Sequence, residues 1–169
     1  MLYSTIRRLI FPADEARFRE RRREALERAA NSFRTSLADE LRKPRTLDAY
    51  TAIADHAVFG AFADDGELVG IVGLEREERA TMRHKGWVWG MYVRPEAGGR
   101  GLGRQLLRAA TAHARTLPGL EQVLLTVVAN NANARHLYAS EGFETVGLER
   151  RAIKQKDQYF DEETMVLFL

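Results

Sequence analysis

The spacing of apolar residues changes repeatedly along the chain, and each change predicts an element. Ser4 to Ile10 reads as a first strand. Pro12 and Asp14 then signal a helix start. From Asp14 to Ala30 the residues Phe18, Ala25, Leu26 and Ala29 fall near one helical face. Asn31 to His56 reads as helix in pieces, broken at Arg42-Lys43-Pro44-Arg45-Thr46. Between Ala57 and Glu77 two apolar, β-rich runs are joined at Asp64-Asp65-Gly66, the pattern of a hairpin. Gly86–Val93 predicts a further strand, and Gly101–Leu117 a helix with Leu106, Leu107, Ala110 and Ala114 inward. Gln122–Ala129 reads as a buried strand and Asn131–Gly142 as a short helix ended by its glycine. Two closing strands are expected near Glu144–Ile153 and Glu163–Leu169.

Strands and helices interleave, yet the first hairpins are antiparallel. The expected fold is therefore mixed α/β (α+β), not an all-parallel sheet. The length of 169 residues suits one domain over 1–169 with a real core. A composition of 45% apolar and 30% charged residues is that of a globular chain and argues against disorder. With no cysteine, the chain has no disulfides, no thiolate zinc site and no cysteine nucleophile. The histidines His56, His84, His113 and His136 are scattered without metal-ligand spacing, so no metal is expected. Charges interrupt the apolar run of Met1–Phe18, which is too short for a signal peptide or a membrane span. A cytoplasmic protein without a membrane partner is expected. A net charge of +2 selects no partner. The densest charged stretch, Arg17–Arg28, alternates its signs at helical spacing. It reads as a solvated helix face with i,i+4 pairs, and no nucleic-acid partner is expected.

One stretch carries candidate chemistry. Between the strand ending at Val93 and the helix opening near Leu102 lie Gly98, Gly99, Gly101 and Gly103, with Arg100 and Arg104 among them. A helix N-terminus offers unpaired N–H groups and the positive end of the dipole, both suited to a phosphate. Glycines let the backbone approach closely. A P-loop would end in Gly-Lys-Ser/Thr, which Gly103-Arg104-Gln105 does not supply. A dinucleotide loop would place a third glycine where Leu106 stands. The loop alone is also compatible with a turn that binds nothing.

Taken together, Met91–Leu107 and Leu124–Phe143 resemble the two signature segments of the GNAT N-acetyltransferase superfamily. The first matches through Val93-Arg94-Pro95 and the glycine loop; the second through Asn131, Leu137-Tyr138 and Gly142-Phe143 at the family's spacing. The resemblance is clear from Ala57 to Phe143. It implies a GNAT-like, mostly antiparallel twisted sheet of six or seven strands flanked by about four helices. It also implies acetyl-CoA as co-substrate, its pyrophosphate on the backbone of Gly99, Arg100, Gly101, Leu102, Gly103 and Arg104. The pantetheine arm would pair like an added strand with Met91, Tyr92 and Val93, where two strands splay. A backbone N–H in that run would polarise the acetyl carbonyl. Asn131 would contact the cofactor, although an N-cap role fits it equally. Gly98 stands where the family carries Arg or Gln, so only a backbone donor is expected there.

The resemblance makes Tyr138 the candidate general acid. A phenol, pKa about 10, can return a proton to a departing thiol of pKa about 8.5. The family's usual base positions are held by Trp87, Trp89 and Thr126, none of which takes a proton at neutral pH. Water, or a group such as His84, Glu75 or Asp157, is left to do so. Both tryptophans read as core or pocket wall, with cation–π contact to a protonated amine as the alternative. The expected partners are acetyl-CoA, a primary amine and, for a homodimer, a second copy of the chain. By resemblance the acceptor is framed by Asn31–Tyr50 and a loop at Arg150–Phe160. The function expected is N-acetyl transfer; an acyl-CoA sensor without turnover is the alternative, and a nucleic-acid binder on Arg17–Arg28 comes third.

Overall fold

The structure, a computed structural model, describes residues 5–169, so Ser4 of the expected first strand lies outside the described residues. Seven strands form one sheet: β1 (Thr5–Arg8), β2 (His56–Phe62), β3 (Leu68–Arg76), β4 (Lys85–Val93), β5 (Gln122–Val128), β6 (Glu144–Gln155) and β7 (Gln158–Phe168). Their order is β1-β2-β3-β4-β5-β7-β6. Every neighbouring pair is antiparallel except β4 and β5. The helices are α1 (Glu15–Arg28), α2 (Leu37–Arg42), α3 (Asp48–Thr51), α4 (Leu102–Thr116) and α5 (Ala132–Ser140). The expected mixed, mostly antiparallel sheet is what the chain forms. The fifth helix arises because Asn31–His56 breaks into two separate short pieces, α2 and α3.

Two cores lie on opposite faces. On one, α4 presses Leu106, Leu107, Ala110 and Ala114 onto Val72, Leu74 and Val88 of the sheet. These helix residues recur at three and four positions, so they share one stripe. On the other, Phe18 and Ala25 of α1 meet Leu9, Val58, Ile71 and Tyr92. β3 is covered on both sides, which explains its nearly unbroken apolar run.

The charged helix departs from expectation. Arg21 and Arg22 are each only 3% exposed, so Arg17–Arg28 is not simply a solvated face. They sit three and four residues after Phe18, on the same inward stripe as Ala25 and Leu26. Burial is tolerated because each guanidinium finds acceptors: Arg21 donates to the Leu68 carbonyl at 2.7 Å, and Arg22 donates to Glu40 at 3.1 Å.

Two irregularities shape the middle of the sheet. Gly73 pairs with Trp89 and Ile71 with Tyr92, so β4 spends one residue more than β3 over that step. The bulge contains Gly90 at φ +63°, a left-handed conformation that glycine adopts without steric cost. Meanwhile β5 pairs with β4 only through Lys85–Trp87 and Gln122–Leu124. Beyond that point the parallel strands part.

The closing hairpin also differs from the reading of the sequence. β7 begins at Gln158, not near Glu163, and Arg150–Phe160 is mostly strand, with Ile153–Gln155 paired to Gln158–Phe160 about a turn at Lys156-Asp157, rather than a loop. The register slips between Glu149 and Ile153, with Arg151 at φ +52°. Most of β6 is exposed, so no alternation of polar and apolar residues announces it.

Candidate active site

The parting of β4 and β5 opens a groove of about 740 Å³ that runs from Met91, Tyr92 and Val93 to the glycine loop. Gly99, Gly101, Leu102, Gly103, Arg104 and Asn131 line it as the sequence suggested; Arg100 lies in the same loop but not on the groove wall. Gly99 and Gly101 have φ of +74° and +72°. That geometry turns the chain sharply into α4 and leaves the N–H groups from Gly99 to Arg104 without carbonyl partners among the described residues. Gln105 is the first to donate back, to Gly101 at 3.1 Å. Gly98 behaves otherwise than expected. Its N–H donates to the Pro95 carbonyl at 3.0 Å, closing a short turn, so it is not a free donor. Arg104 reaches Ser140 at 3.1 Å and lies 3.4 Å from Glu141, which anchors its guanidinium at the groove.

On the strand side Met91, Tyr92 and Val93 line the groove, but the Tyr92 side chain is turned away from it. Its ring is buried in the α1 core and its hydroxyl donates to Glu24 at 3.0 Å. Asn131 caps α5, its side-chain oxygen accepting from the Ala134 N–H at 3.2 Å while the residue lines the groove. Tyr138 is 7% exposed and its ring centroid lies 6.1 Å from that of Phe143. Its hydroxyl has no hydrogen-bond partner among the described residues. Burial alone pushes its pKa up to about 12.

A second cavity of about 410 Å³ continues past Tyr138. Ser32, Phe33, Met91, Thr126 and Tyr138 line both spaces, so groove and cavity meet at that tyrosine. Trp87, Trp89 and Thr126 line the cavity. The Trp89 ring fits over Gly73, where any Cβ would come within 2.0 Å of it. Its flanks are taken by Arg45 at 4.2 Å and Arg22 at 5.5 Å from the ring centroid, so protein cations occupy the positions expected for a protonated amine.

Asn31–Tyr50 does frame this cavity, through Ser32, Phe33, Arg34, Thr35 and Arg45. From the closing hairpin only Glu162 and Thr164 reach it. Glu162 is the sole carboxylate on the wall among the described residues; it is 3% exposed and accepts from Arg34 Nε. Sequence reasoning missed it because the expected strand began one residue later. The carboxylates and imidazole considered for proton uptake lie elsewhere. Glu75 borders a separate surface depression, Asp157 sits at the β6–β7 turn, and His84 lines neither space. Arg22 and Arg45 were missed as well, the first taken for solvated helix and the second for a break between helices.

A mixed seven-stranded sheet that splits beside a glycine-rich helix N-terminus defines an acetyltransferase class of fold, with a glycine-rich helix start at one end of the split and a second, open pocket at the other. The chain belongs to the acetyltransferase (GNAT) family, whose sequence profile matches residues 20–143. It is similar to the mycothiol acetyltransferase of Saccharomonospora viridis, 47% identical over 86 residues that cover 48% of this chain and 28% of that protein. The chain thus matches under a third of that relative's length. Among solved structures, a GNAT-family acetyltransferase from Streptococcus pneumoniae superposes with a TM-score of 0.84 at 24% identity, covering 99% of this chain and 100% of that one. A GNAT superfamily phosphinothricin acetyltransferase from Sinorhizobium meliloti, determined in complex with acetyl-CoA, gives 0.81 at 21% identity, over 98% of this chain and 88% of that one.

Proposed function

We propose that the protein is an acetyl-CoA-dependent N-acetyltransferase of the cytoplasm that moves the acetyl group directly to a primary amine. The observation that carries this reading is the junction at Tyr138, where the groove suited to an extended phosphate-bearing ligand opens into a separate polar pocket. A binding module has no need of the second space.

The chain's residues fit acetyl-CoA. Unpaired N–H groups from Gly99 to Arg104, with Arg100 and Arg104 beside them, suit a pyrophosphate. The unpaired edge of β4 at Met91, Tyr92 and Val93 suits an arm that hydrogen-bonds like a strand. Acetyl-CoA supplies an acetyl thioester: the amine nitrogen bonds to its carbonyl carbon, the C–S bond breaks, and the electron pair leaves on sulfur. An N–H of the Met91–Val93 run stabilises the charge on the carbonyl oxygen. Glu162 holds the ammonium form of the acceptor and takes up a proton leaving the nitrogen. Tyr138 hands its hydroxyl proton to the sulfur and recovers, through water, the second proton that the nitrogen loses, while the first passes from Glu162 to solvent. The raised pKa of Tyr138, about 12, keeps the phenol protonated across the working range while making it a weaker acid than a free tyrosine.

The test is thiol release from acetyl-CoA with a broad set of primary amines. Release that depends on the amine, with a matching N-acetyl product by mass, is expected. Tight acetyl-CoA binding without release from any amine makes the protein a sensor and overturns the reading.

A further inference from the structure

The pocket beyond Tyr138 has an unusual balance of charge. Arg22, Arg34, Arg45 and Glu162 are its charged wall residues. Arg34 is committed to Glu162 and, at 2.9 Å, to Glu149. One buried carboxylate ties the Arg22 guanidinium to the backbone of Arg45. Glu40 accepts from Arg22 Nε at 3.1 Å and from the Arg45 backbone N–H at 3.0 Å. Arg22 is 3% exposed, yet its two terminal nitrogens make no hydrogen bond among the described residues. One of them lies 3.3 Å from where a Gly90 Cβ would stand, so the bulge glycine leaves that nitrogen open space at the cleft. Arg45 lies on the Trp89 ring and donates to the Tyr50 hydroxyl at 2.8 Å. Its nearest carboxylate, Glu75, is 3.7 Å away and 43% exposed, a weak pairing. The Trp89 indole N–H is also buried without an acceptor.

Donors therefore outnumber acceptors on this wall, and the excess is cationic. Burial, with Arg45 close by, pulls the Arg22 pKa below its ordinary value despite Glu40. The unpaired terminal N–H groups of Arg22 open on the cleft, where a bound anion can fill the fork. A planar carboxylate fits that fork in two parallel hydrogen bonds.

We propose that the acceptor amine carries a carboxylate, and that Arg22 and Arg45 bind it against Trp89 while the amino group lies toward Glu162 and Tyr138. The acceptor class is then the free amino acids and other small amino carboxylates. This inference rests on the N-acetyl-transfer reading and adds the second functional group of the substrate. Neutral and polycationic amines lack the anion that the two arginines require.

The experiment compares each of the common L-amino acids with its α-carboxamide, by thiol release at saturating acetyl-CoA. The amide's amine is the less basic and has the larger uncharged fraction at neutral pH, so amine chemistry alone favours the amide. A tenfold or greater preference in kcat/KM for the best acid over its amide is expected. Arg45→Gln, at a side chain 35% exposed, should bring that ratio to about one, mainly through a higher KM for the acid. Arg22→Lys keeps a charge beside Glu40 but loses the fork, and should reduce the ratio severalfold. An acid no better than its amide, or a ratio that survives Arg45→Gln, overturns the carboxylate subsite while leaving N-acetyl transfer intact. Failure of every amine to release thiol overturns both.

Discussion

The two halves of the cleft are built in different ways. The groove beside α4 is a backbone device, made of left-handed glycines, a helix N-terminus and an unpaired strand edge within one stretch from Met91 to Arg104. The pocket beyond Tyr138 is a side-chain device. Arg22 comes from α1, Arg45 from between α2 and α3, Trp89 from β4 and Glu162 from β7. A backbone device recognises what its ligands have in common, phosphates and an amide-bearing arm, and tolerates changes of side chain around it. A side-chain device recognises one chemistry and changes with a single substitution.

Tyr138 belongs to both halves, and its removal should have the largest effect. Tyr138→Phe keeps the ring beside Phe143 but removes the proton donor. With an accepted amine kcat should fall about a hundredfold, or tenfold if water replaces the phenol efficiently. The acetyl-CoA Kd should hardly move. The pH profile sharpens the test. A pKa raised from 10 to about 12 means that the neutral phenol persists well past the ordinary value. The wild-type rate should therefore show no alkaline loss due to this group below about pH 10. Full turnover by the Phe variant would make Tyr138 a packing residue only.

The next pair of substitutions strikes each half separately. Gly101 sits at φ +72° with open space where a Cβ would go, so Gly101→Val strains the loop without a clash. Acetyl-CoA affinity should weaken at least tenfold, about 1.4 kcal/mol, measured by calorimetry. The acceptor KM at saturating acetyl-CoA should stay within twofold. Gly73→Ala acts in the opposite sense: its Cβ would meet Trp89 at 2.0 Å and must displace the ring. A severalfold higher acceptor KM is expected, with acetyl-CoA affinity unchanged. If Gly73→Ala weakens acetyl-CoA as much as Gly101→Val does, the two halves are not independent.

The same contrast explains what the sequence disclosed. Gly99, Gly101, Gly103, Asn131 and Tyr138 lie at fixed short spacings, and a local motif can be read without knowing the fold. The core stripe of α4 was legible for the same reason. Arg22 was not: on α1 it looks like its neighbours Arg21 and Arg23, and only docking of the helix on the sheet decides which of them turns inward. Glu162 stands in a charged run, and its burial follows from the register of β7 against β5, where it pairs with Val128. Arg45 looked like part of a helix break, and only tertiary packing lays it on Trp89. Gly98 misled in a smaller way, since its N–H is spent on Pro95 inside the turn itself.

The smallest expected effect decides between two roles for one residue. Asn131 accepts a hydrogen bond from Ala134 as the cap of α5 and also lines the groove. Asn131→Ala should cost about 1 kcal/mol of unfolding free energy, the ordinary value of a lost cap. If the amide also touches the cofactor, acetyl-CoA affinity should fall a further two- to threefold. Stability and affinity can be separated with Asn131→Ser, because serine caps a helix as well as asparagine does but its hydroxyl ends nearer the backbone. The Ser variant should regain the unfolding free energy, by denaturant titration, and keep the affinity loss. Recovery of both by serine would mean that Asn131 serves α5 alone. The cofactor half would then be a backbone device almost throughout, with Arg104 the one side-chain cation on its wall among the described residues.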